Sequence, residues 1–325
     1  MIYLERIYEF YSEINKKAVE WLWYPYIAYG KITLLQGDPG EGKSSIAVHL
    51  SAIITTAGVL PDGTRISKPE HVIYQCSEDG LADTVKPRLE MAKANCDRLI
   101  HIIEEQDCLT LEDQRLEETI SRTNAKLCII DPLQAYLGND MDMMNAVKVR
   151  NLLRKLSWIA EKYSCAIVLI CHMSKSSVKK SLYRCLGSID IAAVARSILM
   201  VLRDKEDLQL RYLLQIKNNL AEEGKPICFR LGKFGLRWLG TCDTKLEDIL
   251  EGKTRKLTKR KKAAEEIFAL LSNGDMECIQ IFDALAKCGI CKRTVKMAKK
   301  DVAAVSYRKN NVWYWSLDKS RMGSR

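Results

Sequence analysis

Residues Gly37-Asp38-Pro39-Gly40-Glu41-Gly42-Lys43-Ser44, followed by Ser45, satisfy the pattern G-x-x-x-x-G-K-[ST]. An apolar run, Lys31 to Gln36, precedes them. Behind them, from Ser44 to Thr55, Ile46, Ala47, Leu50, Ile53 and Ile54 fall on one helix face. A strand entering such a loop and a helix leaving it is the context in which the pattern binds phosphate. The glycines let successive backbone N–H groups curl around a β-phosphate, and the helix N-terminus adds its positive dipole end. Lys43 is the cation for the β and γ phosphates, and the Ser44 hydroxyl is a ligand for Mg²⁺. ATP with Mg²⁺ is therefore the expected cofactor pair.

The rest of the first 240 residues alternates short apolar runs with helical periodicity. Strands are predicted at His71 to Cys76, Leu99 to Ile103, Leu127 to Ile130 and Ala166 to Ile170. Helices are predicted over Leu81 to Ala94, Leu111 to Thr123 and about Asn145 to Tyr163. Leu127 to Ile130 and Ala166 to Ile170 are continuously apolar, as strands buried on both faces of a parallel sheet are. The expected fold class is α/β with a mostly parallel twisted sheet. Closely spaced strands at 197–202, 209–217, 226–231 and 236–239 add an antiparallel extension at its edge.

Three residues at strand ends carry further chemistry. Asp131 directly follows the strand 127–130 and is the second Mg²⁺ ligand, acting through water, with a turn cap before Pro132 as its alternative role. Glu78, just past the strand 71–76, is placed to orient or deprotonate the attacking water. Asp79 is adjacent, so one of these two carboxylates could instead cap the following helix. His172 ends the strand 166–171 on the same edge, either as a sensor of the γ-phosphate or as a structural histidine. The next segment contains Lys175, Lys179, Lys180 and Arg184 with hydroxyls and no acid, which suits a phosphate backbone or a solvated loop.

Charge is divided unevenly along the chain. Residues 1–252 carry 33 Lys+Arg against 34 Asp+Glu, a balance of −1, whereas residues 253–325 carry 18 against 7, a balance of +11. A neutral body with a basic appendage points to a polyanion, and DNA, single-stranded or duplex, is the first candidate. Within the appendage three short helical patterns, 263–271, 279–287 and 292–301, precede a hairpin pattern from Val305 to Ser316. That is the order of a winged helix-turn-helix domain. Lys292, Arg293, Lys296, Lys299 and Lys300 on the third helix and Arg308 and Lys309 on the wing are the candidate DNA contacts, with protein docking the alternative for the same fold. Cys288-Gly-Ile-Cys291 has no second ligand pair, so no zinc is expected. No apolar run reaches the roughly 18 residues of a membrane span, the start lacks a secretory pattern, and the cysteines lie in core-like runs, so a cytoplasmic location without membrane contact is expected.

Gly37 to Ser45, Cys76 to Leu89, Ile129 to Tyr136, Leu169 to Met173, Leu186 to Asp190, Ala195 to Ser197 and Ile216 to Asn219 together resemble the RecA-fold ATPases of plasmids, phages and integrated elements grouped with the RepA replicative helicases. The resemblance covers about residues 20–240. It implies a RecA-like core working as a homo-oligomer, commonly a ring, with a hexamer as one form. It also implies Glu78 as catalytic glutamate, His172 as switch, Arg196 as an arginine finger delivered in trans and Lys217 as a finger lysine. Where the wider DnaB-like group tends to carry Lys-x-Arg, Asn219 stands in the arginine's place. The expected organisation is an N-terminal helical or aromatic segment 1–29, a RecA-like ATPase domain 30–240, a basic linker 241–262, a winged helix 263–318 and a tail 319–325. The leading functional expectation is an oligomeric, DNA-stimulated ATPase, a helicase or remodelling motor in mobile-element replication. Its rivals are a non-motor ATP switch that binds DNA and a small-molecule kinase.

Overall fold

The computed structural model describes residues 8–104, 107–138, 146–172, 189–205, 207–232, 235–244, 249, 259–271, 274–302, 304–309 and 311–317. The chain divides into two compact units, 1–246 and 247–325.

In the first unit, β1 (Trp21–Trp23) and β2 (Ile27–Ala28) form a short antiparallel ribbon ahead of β3 (Ile32–Gly37) and α1 (Lys43–Thr55). Then come β4 (Val72–Cys76), α2 (Lys86–Met91), β5 (Leu99–Ile100), α3 (Gln114–Thr123), β6 (Leu127–Asp131), α4 (Ala146–Tyr163), β7 (Ala166–His172) and α5 (Ile189–Val194). The unit continues through β8 (Ser197–Arg203), β9 (Leu210–Asn218), β10 (Ile227–Gly232) and β11 (Gly235–Thr241). Nine of these strands make one sheet in the order β11-β10-β9-β8-β3-β7-β6-β4-β5. The six from β8 to β5 are parallel, and β9, β10 and β11 extend the sheet antiparallel. This is the predicted fold class, a RecA-like core.

The strand period of two explains how both faces are covered. Leu35, Tyr74, Ile129, Val168 and Ile170 join Ile46, Leu50 and Ile54 of α1 and Leu89 of α2 in one apolar cluster. The alternate residues Leu34, Ile73, Cys128, Ile167 and Leu169 are equally buried and belong to the opposite face. On α4, which contacts β3, the buried residues Val149, Leu152, Leu153, Leu156, Ile159 and Ala160 recur every three or four positions. Burying each of the Val, Leu and Ile side chains among these is worth roughly 1.5–3 kcal/mol.

Three expected elements differ. Residues 8–20 hold a single 3₁₀ turn, Tyr11–Glu13, and the aromatics behind it build the β1–β2 ribbon instead of a helix. Trp23 and Tyr26 pack at 4.5 Å, and Tyr26 donates to the Lys225 carbonyl. The expected helix 81–94 begins as a wide turn, Leu81–Val85, and becomes α-helical only at Lys86. Pro87 lacks the N–H that would bond residue 83, so the ladder cannot run through it. The expected strand 99–103 stops at Ile100, because the Gln75 side chain replaces a strand partner by pairing with both the N–H and the carbonyl of Ile102.

The second unit contains α6 (Lys259–Leu271), β12 (Met276–Glu277), α7 (Cys278–Lys287), α8 (Lys292–Asp301), β13 (Ala304–Lys309) and β14 (Val312–Leu317). Its three strands pair in the order β12-β14-β13. Ile267, Ile281, Leu285, Val295 and Trp315 form its core. α6 starts inside the stretch read as linker, and the tail 319–325 lies outside the described residues.

Candidate nucleotide site

Parallel α/β sheets collect ligands at the carboxyl ends of their strands. The registers Gly37↔His172 and Cys76↔Asp131 bring the ends of β3, β7, β6 and β4 to one edge. Every residue of the sequence reading up to His172 is on that edge.

The loop's shape depends on its glycines. Gly42, the residue before α1, has φ 98°, and a Cβ there would meet Leu231 Cδ2 at 3.1 Å. At Gly37 a Cβ would stand 2.9 Å from the Val201 carbonyl oxygen, which is backbone and cannot move aside. Lys43 is 4% exposed and donates to the Gly37 and Asp38 carbonyls at 2.8 and 2.9 Å. An ammonium has three protons, so one remains for a phosphate oxygen. Burial pushes the Lys43 pKa down, and Asp131 and Asp38 oppose that.

Asp131, 3% exposed, accepts hydrogen bonds from Ser44 and, at 3.1 Å, from Tyr74. Burial raises its pKa against those two bonds, with Glu78 adding to the rise and Lys43 opposing it. Tyr74 is itself raised well above the usual phenol range by burial and by Asp131. A hydroxyl and a carboxylate touching each other beside Lys43 are the oxygen donors Mg²⁺ prefers. Among the described residues no three metal-capable side chains cluster. A divalent ion here would therefore take its remaining ligands from phosphate and water.

Glu78 and His172 meet across the edge, with Nε2 3.6 Å from Oε1. His172 Nδ1 is buried and has no hydrogen-bond partner among the described residues. Asp79 is turned away into an ion pair with Arg88 at 2.6 Å, and no side chain caps the turn after Gly80. Of the two neighbouring carboxylates, Glu78 is the one facing the site.

Arg196 and Lys217 lie on the opposite edge. Arg196 is exposed, and its backbone N–H bonds the Ile32 carbonyl, at the start of β3. Gly37 lies five residue steps beyond Ile32, about 17 Å of strand, which is beyond an arginine's reach. Lys217, the finger lysine of the resemblance, is engaged within its own chain. Its ammonium donates to the Ala192 and Ala195 carbonyls at the end of α5, at 2.7 and 2.9 Å. The basic segment with Lys175, Lys179, Lys180 and Arg184 lies outside the described residues.

On α8, Lys292, Arg293, Lys296 and Lys300 are exposed, as are Arg308 and Lys309 on the hairpin. Lys299 differs from them in its surroundings. It is half-buried, with Nζ 4.8 Å from the centre of the Trp315 ring and bonded to the Ser306 hydroxyl. Sequence reasoning missed Tyr74 and also Arg203, which pairs with Glu41 in the phosphate loop at 3.2 Å.

Residues 10–178, just over half of the chain, match the family described as AAA domain. Among curated proteins, the DNA repair protein RadA of Chlamydia muridarum (strain MoPn / Nigg) is 26% identical over 151 residues. That match covers 45% of this chain and 29% of the relative. RadA of Listeria monocytogenes serovar 1/2a is 26% identical over 148 residues, covering 45% and 28%. The chain thus spans under a third of the length of these relatives. Among solved structures, the ATPase domain of G40P superposes with a TM-score of 0.50 at 13% identity, over 65% of this chain and 85% of that one, a likeness of fold. No helix among the described residues is long and apolar enough to cross a membrane.

Proposed function

The chain belongs to the AAA domain family and has a RecA-like P-loop ATPase core, and from that premise we propose that it is an oligomeric, DNA-stimulated ATP-hydrolysing motor of helicase type. One observation carries the reading. The residues assigned here to phosphate, metal and water lie together on one sheet edge, with Ser44 bonded to Asp131 and Glu78 beside His172.

Lys43 and the loop amides bind and orient the β and γ phosphates. Ser44 and Asp131 would hold Mg²⁺, which neutralises charge on the β and γ oxygens when bound. Glu78 orients water for in-line attack on the γ-phosphorus and accepts its proton, while ADP leaves on the far side. His172 carries the γ-phosphate state toward the segment that follows it. Arg196, too far from its own loop, neutralises γ-phosphate charge in a neighbouring copy, so hydrolysis depends on assembly. Lys217 holds the end of α5 beside that finger.

DNA is the polymer this reading assigns. Its support is the +11 balance of residues 253–325, the exposed cations of α8 and of the β13–β14 hairpin in a winged-helix order, and the RadA relatives, which are DNA repair proteins. The RepA-like motifs suggest mobile-element replication as the setting. Glu78 placed for water argues against a small-molecule kinase.

The deciding experiment is ATP hydrolysis with and without single-stranded DNA, on protein sized by light scattering. An oligomer stimulated several-fold is expected. ATP-dependent DNA binding by a monomer without strand separation would favour the non-motor switch, for which a basic unit with its own core would suffice.

A further inference from the structure

On the side of the phosphate loop away from Asp131 lies a group of charges that this hydrolysis scheme does not use. β8 runs parallel to β3 and continues past it to Arg203. There Arg203 Nη2 reaches Glu41 Oε1 at 3.2 Å and the Gly40 carbonyl oxygen at 3.4 Å. Its cross-strand partner on β9 is Arg211. Arg211 is buried, donates through Nη1 to the Leu208 and Gln209 carbonyls, and passes 3.9 Å from the place a Cβ on Gly42 would occupy. Burial foremost, and then Arg203, push the Arg211 pKa down, and Glu41 opposes them.

Glu41 is the residue between Gly40 and Gly42, whose φ angles are 77° and 98°. Glycines visit such angles freely but hold none of them. A tether on the residue between them removes part of that freedom before any ligand arrives, and a loop already ordered costs less to order on binding. The Glu41 side chain is only 13% exposed, so this pair is less screened than an ordinary surface ion pair.

We propose that Arg203 is a positioning residue for nucleotide binding, acting through Glu41 and the Gly40 carbonyl to hold the crown of the phosphate loop in its receptive shape. The inference rests on the ATP reading above. The tether orders the loop before binding and makes no contact specific to the transition state, so its loss raises KM and leaves kcat nearly unchanged.

The test is steady-state ATP hydrolysis, together with equilibrium binding of a fluorescent ATP analogue, on the full chain. The variants are Arg203→Ala, Arg203→Lys, Glu41→Gln and the double variant Arg203→Ala with Glu41→Gln, each checked by thermal unfolding. Arg203→Ala and Glu41→Gln should each raise KM roughly three- to tenfold with kcat within about twofold. The double variant should be no worse than the worse single variant, and Arg203→Lys should recover much of the loss. Glu41→Gln is isosteric, so unchanged nucleotide affinity there overturns the proposal even if Arg203→Ala folds poorly. Additive losses overturn it too, since the arginine would then act on the nucleotide without Glu41. A wild-type chain that binds no ATP sinks the parent reading, whereas wild-type binding equalled by Glu41→Gln sinks the tether alone.

Discussion

His172 Nε2 stands 3.6 Å from Glu78 Oε1, although β7 and β4, which lead to them, are separated by β6 and its terminal Asp131. The residues proposed as base and switch thus touch each other at the edge where Asp131 ends β6. Glu78→Gln keeps the shape and loses the proton acceptor, so ATP binding should persist while turnover falls by about 10²-fold or more. His172→Ala should cut DNA stimulation more than the basal rate. Equal losses of both rates would reduce the imidazole to a second orienting group. ATPase assays with and without DNA on the two variants, with nucleotide affinity measured in parallel, separate these outcomes.

Tyr74 bonds the carboxylate proposed as a metal ligand. Its hydroxyl donates to buried Asp131, as does that of Ser44. Outer partners of metal ligands commonly matter by 10- to 100-fold. Tyr74→Phe removes a single oxygen from a packed ring, so the fold should hold while the Mg²⁺ concentration for half-maximal hydrolysis rises about tenfold. A Mg²⁺ titration of hydrolysis measures it, and an unshifted midpoint would assign Tyr74 to packing alone.

The placement of Arg196 at the start of β3, about 17 Å of strand away from the phosphate loop that follows it, leads to a complementation experiment. Arg196→Ala subunits have a complete loop and no finger, and Lys43→Ala subunits the reverse. Each alone should hydrolyse little ATP, and a mixture should recover part of the wild-type rate at interfaces pairing one of each. Mixed oligomers shown by differential tagging, yet without recovery, would make Arg196 a structural residue of the β3–β8 edge.

What the sequence makes legible here is what is local. The phosphate loop, Asp131 after an apolar run and Glu78 after β4 each combine a residue type with a position at a strand end, and periodicity reveals both. The Tyr74–Asp131 bond spans 57 residues, and the Arg203–Glu41 pair joins β8 to a loop far earlier in the chain. No short-range pattern announces either. The N-terminal segment reads only as helical or aromatic, because spacing alone does not reveal that Trp23 and Tyr26 pack together in a tight ribbon. On α8, counting charges does not say which cations face outward. Val295 and Ala298 define the buried stripe, and Lys299 falls on its flank against Trp315.

That division within α8 separates binding from folding. Arg293→Glu with Lys296→Glu reverses two exposed charges and should weaken DNA affinity and flatten its salt dependence, with the unfolding midpoint unmoved. Each lost phosphate contact removes roughly 0.7 to 0.9 from the log–log slope. Lys299→Ala removes instead a cation lying on Trp315, a contact of about 0.5–1 kcal/mol at a partly exposed site. It should lower the unfolding midpoint of the second unit and change the salt slope little. Deleting residues 253–325 should combine loss of DNA affinity with surviving basal ATPase, because the nucleotide-site residues all precede Asn219. DNA titrations at several salt concentrations, paired with thermal unfolding, read both effects. If Lys299→Ala flattens the slope as much as the double reversal, the ammonium leaves Trp315 to meet phosphate. If neither alteration moves the slope, the basic unit docks protein, and DNA contact falls to the segment containing Lys175 and Arg184.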